Sequence, residues 1–230
     1  MADDPVLIVT GASSGIGAET ARHAAREGWR VVLGARSEDK LRGLAEELGG
    51  EERARPIRCD VTSWEDQQAA VAAALDGFGR LDAIFANAGF GAKRGFLEET
   101  PEHWREMVLT NVYGAALSIR AVLGHFREQG HGHVLFTSSV AGRRALPGSL
   151  YSATKFAVTA MGEALRQEVS DSDIKVTLIE PGMVDTPFFD EPKPDALRDG
   201  DIARAVMYAL SQPAHVDVNE ILIRPIRQPT

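Results

Sequence analysis

Tyr151 and Lys155 stand four residues apart in the run Tyr-Ser-Ala-Thr-Lys. On a helix that spacing places a phenol and an ammonium on one face, one turn apart. A nearby positive charge favours the phenolate and draws the tyrosine pKa down from about 10. A tyrosine held that way can give and take a proton near neutrality. The spacing alone is common, so its meaning depends on what else the chain brings to it. Thr10-Gly-Ala-Ser-Ser-Gly-Ile-Gly17 follows an apolar run and opens a helical pattern. Glycines there permit a tight turn and close approach of a pyrophosphate, and the helix N-terminus offers free N–H groups. An ordinary glycine turn lacks that strand–loop–helix setting.

The elements that must bring these residues together alternate along the chain. Val6–Thr10, Arg30–Ala35, Arg55–Asp60, Asp82–Asn87, His133–Ser138, Lys175–Ile179 and Glu220–Arg224 read as strands. Helical patterns are expected from the glycine loop to Arg26, and over about Glu38–Leu48, Trp64–Leu75 and His103–Glu128. Two more are expected over Tyr151–Glu168 and Ile202–Leu210. Near-continuous apolar strands separated by helices predict an α/β fold: a Rossmann-type doubly wound parallel sheet of about seven strands with helices on both faces. No fixed-period repeat or low-complexity linker marks a boundary, so one domain over 1–230 is expected. The stretch Pro187–Gly200, with three prolines and mixed charge, is the irregular one.

Composition narrows the function. With 230 residues, 44% of them hydrophobic, the chain can bury a substantial core. A formal charge of −8 argues against nucleic acid as a partner. No stretch has the roughly 18–20 uninterrupted apolar residues of a membrane helix, and Met-Ala-Asp-Asp-Pro is not a signal-peptide start. The single cysteine, Cys59, can form no internal disulfide and fits a cytoplasmic location. His131-Gly-His133 lacks a second ligand cluster, and no metal is expected.

Taken in order, the motifs carry a resemblance. Thr10–Gly17 has the form TGxxxGIG. Asp60-Val61, Asn87-Ala88-Gly89, Asn111, Ser138-Ser139, Tyr151/Lys155, Pro181-Gly182 and Thr186 follow it. Together they resemble the short-chain dehydrogenase/reductase family. The resemblance implies an oxidoreductase that interconverts a carbonyl and an alcohol with a nicotinamide cofactor. Tyr151 would serve as acid/base, Lys155 would hold the nicotinamide ribose, and Asn111 would bind a water leading to solvent. Ser139 would orient the carbonyl. The usual 13-residue spacing before the tyrosine selects Ser138 instead, and aligning the Ser139-Val-Ala-Gly142 turn selects Ser139. A deletion is easier in a loop than at a strand end, which favours Ser139. Gly11, Ser13, Ser14, Gly15, Ile16 and Gly17 would bind the cofactor together with Asp60, Val61, Asn87, Ala88 and Gly89. Pro181, Gly182, Val184 and Thr186 would receive its nicotinamide end.

The residue ending the second strand bears on the choice of cofactor. An acid there binds the adenine ribose hydroxyls of NAD. This chain has Ala35 followed by Arg36, and a guanidinium suits a 2′-phosphate, so NADP(H) is expected over NAD(H). Ser13 and Ser37 would share that phosphate. Ser14 stands where many NADP-dependent relatives carry a basic residue.

The substrate expected is a small carbonyl or alcohol, covered by Phe188, Phe189 and their loop, with Gly91–Gly95 and Arg143–Pro147 as further walls. Arg143 or Arg144 is read as a substrate carboxylate ligand or as a salt-bridging pair. Ala214–Pro225 is similar to a subgroup with dehydrogenases for 3-hydroxy acids and β-hydroxy amino acids. A cofactor-binding sensor without turnover is the competing class. Family members commonly assemble through the helices before and after the fifth strand, so a homo-oligomer, tetramer or dimer, is expected. Ala115, Ala116, Ala157, Ala160 and Gly162 are small residues that suit that contact and equally suit packing within the chain.

Overall fold

The computed structural model describes residues 4–188 and 191–228. Its first half runs β1 (Val6–Thr10), α1 (Gly15–Arg26), β2 (Arg30–Ala35), α2 (Glu38–Glu47), β3 (Ala54–Arg58), α3 (Trp64–Phe78) and β4 (Ala83–Ala86). Next come α4 (Pro101–Val108), α5 (Gly114–Gln129), β5 (His131–Thr137), α6 (Leu150–Glu168) and β6 (Asp173–Pro181). The last elements are β7 (Val184–Asp185), β8 (Leu197–Arg198), α7 (Asp199–Leu210) and β9 (Glu220–Ile223). Seven strands form one sheet in the order β3-β2-β1-β4-β5-β6-β9. Every neighbouring pair is parallel.

Alternation along the strands supplies two cores. Leu7 and Val9 point to the face covered by α1, α2 and α7, where Ala21, Leu41 and Val206 meet them. Val6 and Ile8 point to the opposite face, against Phe78 of α3, Phe126 of α5 and Val158 of α6. A strand buried on both sides favours apolar residues at every position, which is why runs such as Val6–Val9 are continuously apolar. Local signals start the helices. Ser63 caps α3 by accepting from Asp66 N, Thr100 caps α4 ahead of Pro101, and Ser149 caps α6 by accepting from Ser152 N. The doubly wound sheet expected from the sequence is therefore present. Its strand order reverses between β1 and β4, and a crevice opens there at the carboxyl ends of the strands.

Two features depart from the sequence reading, and one small residue takes the intrachain alternative. The long helix before β5 is not continuous: Leu109–Tyr113 is a π-helical turn between α4 and α5. The whole run Pro101–Gln129 is long and apolar enough to cross a membrane by composition. It is interrupted by charges such as Arg120 and packs Leu117, Val122 and Phe126 inward. Within the irregular stretch, Leu197–Arg198 pairs with Val184–Asp185 as a second, two-stranded sheet, so part of Pro187–Gly200 is built structure. Gly162 is taken up inside the chain, since a Cβ there would lie 2.8 Å from Leu178 Cδ2.

Gln67 ties the α3 layer to the rest. Its buried amide nitrogen donates to Val61 O at 3.0 Å, Gly114 O at 3.3 Å and Ser118 Oγ at 3.0 Å. Gln67→Leu leaves the buried Val61 carbonyl short of this donor, while Gly114 O keeps the Ser118 hydroxyl, and is expected to cost about 1–3 kcal/mol. A urea denaturation midpoint equal to that of the parent protein would refute this.

Candidate functional site

The glycine loop lies in the crevice. Gly11 has φ +68, and a Cβ there would lie 3.0 Å from the Ala88 backbone. A Cβ at Gly17 would fall 2.4 Å from the Gly11 carbonyl oxygen. Only glycine fits both places, and the loop is left as an open cradle of backbone. Ser14 precedes α1 without a side-chain cap bond, so the first amides of that helix remain available to an anion. Arg36 and Ser37 are exposed directly after β2. Across from them, the Asp60 carboxyl is held below its ordinary range, first by the Thr62 N–H it accepts. The charges of Arg36 and Arg58 add to that effect. With open backbone amides at the start of α1 and a cation beside the cradle, the donor set fits the phosphates of a dinucleotide.

At the strand ends, hydrogen bonds run from side to side. Thr10 Oγ accepts from the amides of Asn87 and Ala88. Asn87 Nδ2 donates to Thr10 O at 3.1 Å, and its Oδ1 accepts from Thr137 Oγ at 2.9 Å. Lys155 Nζ donates to Thr137 O at 2.6 Å. Asn111 projects from the π-helical turn and is buried. Its side chain brackets Phe90, accepting from the amide and donating to the carbonyl, and also donates to Thr154 on α6. Gly89 lies between: a Cβ there would be 3.0 Å from Asn111 Oδ1 and 3.8 Å from Lys155 Nζ. Asn87, Gly89, Asn111 and Lys155 thus share one wall. Thr10, the first residue of the glycine loop, belongs to it as well, with Thr137 and Thr154, which carry no sequence signal because a threonine at a strand end or in a helix is ordinary by itself.

Tyr151 begins α6 and is half-buried. The two serines before it differ in surroundings. Ser138 Oγ is used within the scaffold, donating to Lys155 O at 3.2 Å and sharing a 2.7 Å hydrogen bond with Thr159 Oγ. Ser139 Oγ has scaffold partners as well, donating to Pro181 O at 3.3 Å and accepting from Ala141 N at 3.1 Å, and it stands close enough to the Tyr151 phenol to bear on its pKa. Lys155 Nζ stands 5.6 Å from the centre of the Tyr151 ring. The expected lowering of the tyrosine pKa by lysine is not what this arrangement gives. Burial pushes the phenol up to about 12, and the Ser139 hydrogen bond is the influence working against it. Burial also pulls Lys155 down to about 8, which weakens the charge meant to act on the tyrosine.

The mouth is formed by three loops. Gly95 N donates to Gly148 O at 2.8 Å, joining the Gly91–Gly95 segment to the turn before α6. The Phe188 ring meets Tyr151 edge-on, with centroids 5.7 Å apart, and reaches Gly91. Phe189 lies outside the described residues. Val184 is buried in β7, and Thr186 touches the glycine loop, 3.2 Å from where a Gly15 Cβ would stand. Arg143 is not free for a substrate carboxylate: it pairs with Glu180 and Glu220. His131 is exposed and His133 buried against Thr177 Oγ, and no cluster suited to a metal occurs among the described residues.

A parallel sheet with a glycine cradle at its switch point defines a dinucleotide-binding protein of Rossmann type. The comparisons narrow the class. The short chain dehydrogenase family model matches residues 5–196. An uncharacterised oxidoreductase of Staphylococcus haemolyticus is 41% identical over 225 residues, covering 96% of this chain and 97% of that one. Alcohol dehydrogenase from Thermococcus sibiricus, solved with 5-hydroxy-NADP, superposes with a TM-score of 0.91 at 32% identity, over 99% of each chain. Serine dehydrogenase from Escherichia coli gives a TM-score of 0.89 at 29% identity, over 98% of this chain and all of that one. The chain belongs to the short-chain dehydrogenase family and is an oxidoreductase of that family.

The lysine makes a pH prediction. A group whose folded pKa is about 8 against an ordinary 10.5 holds fewer protons folded than unfolded between those values. Its contribution to stability therefore rises with pH across that window. Relative to Lys155→Met, the parent protein is expected to gain thermal stability from pH 8 toward pH 10.5; parallel melting curves for the two across that range would contradict it.

Proposed function

We propose that the protein is an NADP(H)-dependent carbonyl reductase or alcohol dehydrogenase with Tyr151 as its acid/base. The observation that carries this reading is Tyr151 one helical turn from the buried Lys155, whose Nζ stands 5.6 Å from the centre of the phenol ring. A bound nicotinamide supplies or accepts the hydride. Tyr151 delivers its phenolic proton to the carbonyl oxygen as the alcohol forms, and removes it in the reverse direction. Ser139 orients that oxygen and stabilises the negative charge developing on it. Lys155 binds the ribose hydroxyls. Asn111 serves the proton path to solvent, consistent with a cavity of about 10 Å³ lined by Asn111, Thr137 and Lys155, the order of one water.

Gly11, Ser14, Gly15, Ile16 and Gly17 hold the pyrophosphate. Asp60, Val61, Asn87, Ala88 and Gly89 line the cofactor along the strand ends, and Pro181, Gly182, Val184 and Thr186 receive the nicotinamide. Arg36, with Ser13 and Ser37, takes the 2′-phosphate, supported by the absence of an acid after β2. The substrate is a small carbonyl or alcohol. A second reading, a dehydrogenase for 3-hydroxy acids or β-hydroxy amino acids, is favoured by the likeness to serine dehydrogenase. We read the chain as one cytoplasmic domain that forms a homo-oligomer. Exposed Tyr113 and Phe156, on the helices flanking β5, support a contact between copies. Static light scattering at micromolar concentration tests this, and a monomer would exclude it.

NADPH oxidation across aldehydes, ketones and 3-oxo acids separates enzyme from sensor: tight cofactor binding with no turnover would support the sensor. Tyr151→Phe is expected to lower kcat by roughly 10²–10⁴-fold with cofactor affinity little changed. Arg36→Ala should weaken NADPH binding roughly ten- to hundredfold and leave NADH unaffected. Equal use of NADH and NADPH by the parent protein would overturn the choice of cofactor.

A further inference from the structure

Arg143 follows the short 3-10 turn Val140–Gly142, which Ser139 caps by accepting from Ala141 N. Its Nε lies 2.9 and 2.8 Å from the two Glu180 carboxylate oxygens, and a terminal nitrogen donates to Glu220. Most surface ion pairs contribute little, but the Glu180 side chain has no exposure at all. A carboxylate buried that way is costly unless paired, and among the described residues Arg143 is its hydrogen-bond donor.

The pair sits at a junction. Glu180 directly precedes Pro181, whose carbonyl receives the Ser139 hydroxyl. Two links therefore join the turn to the end of β6, one at Ser139 and one at Arg143. Glu220 opens β9, which runs beside β6 with Glu180 opposite Leu222. On its other side the turn is pressed against α6, where a Cβ at Gly142 would lie 2.8 Å from Lys155 O. Beyond Pro181 the same edge is braced again, Gly182 N donating to Ile223 O and Met183 N to Gln228 Oε1.

We infer that Arg143 is a positioning residue: paired with buried Glu180 and with Glu220, it clamps the Ser139 turn to the ends of β6 and β9 and so fixes the Ser139 hydroxyl against Tyr151. This rests on the reading of Ser139 and Tyr151 given above. A salt bridge that only held the sheet edge together would affect stability wherever it was broken, whereas a clamp on Ser139 acts through that hydroxyl.

The test removes both ends of the pair, Arg143→Met with Glu180→Leu, so that no buried charge is left behind. The double variant is expected to lose roughly ten- to hundredfold in kcat, the effect of a small misplacement, with cofactor KM unchanged. In a Ser139→Ala background the same two substitutions should cause no further loss. Arg143→Lys, which keeps the charge but not the fork, should fall between, and it carries the comparison where the double variant fails to fold. An unchanged kcat, or an equal loss in the Ser139→Ala background, would overturn the clamp. Hydrogen exchange tests it without turnover: the peptide spanning residues 138–146 should exchange faster while β1–β3 do not. Unchanged exchange there rejects the clamp whatever the activity. Faster exchange in a protein that reduces no carbonyl would reject the enzymatic reading alone.

Discussion

The carboxyl ends of β1, β4 and β5 stop at the crevice, where their ladders have no continuation and their polar groups must be satisfied some other way. A single chain of hydrogen bonds does this. It passes from the Thr10 hydroxyl and carbonyl to Asn87, from Asn87 to the Thr137 hydroxyl, and from the Thr137 carbonyl to Lys155. The glycine loop leaves from one end of that chain, and the helix carrying Tyr151 is held at the other. The distance between cradle and phenol is thereby set by strand spacing, a fixed property of a parallel sheet. Loops can vary around the site without changing it.

Burial governs the electrostatics more than the tyrosine–lysine spacing does. Enclosure favours the neutral form of both groups, raising the phenol and lowering the ammonium. The protein by itself thus favours the neutral phenol at Tyr151. The influence that opposes this enclosure at the phenol is Ser139, and it does not outweigh it.

Much of the fold could be read directly from the chain. Continuous apolar runs such as Val6–Thr10 have one physical use, a strand covered on both faces, and every expected strand is found within a few residues of its place. Val184–Asp185 and Leu197–Arg198 could not be read, since two-residue strands are too short to show a period. The π-helical turn at Leu109–Tyr113 was hidden because its residues suit an ordinary helix equally well. At the site, spacing identified Tyr151 and Lys155 as neighbours and the glycine loop as a cradle. It could not distinguish Ser138 from Ser139, which differ in which way each hydroxyl turns. It also could not see that Arg143 meets Glu180, 37 residues away, because no local pattern encodes that contact. The direction of the tyrosine shift was misread for a related reason: sequence spacing reports a neighbour's charge and is silent about enclosure.

β9 pairs with β6 after every other strand of the sheet has been made, and its neighbouring residues carry the acceptors for Gly182 and Met183. During vectorial synthesis the segment after Pro181 has no edge to dock on until Glu220–Gln228 has left the ribosome. A nascent chain can already hold β1–β5 and the glycine cradle while the segment after Pro181 still lacks its brace. The strand that completes the sheet is also the one that closes this edge of the crevice.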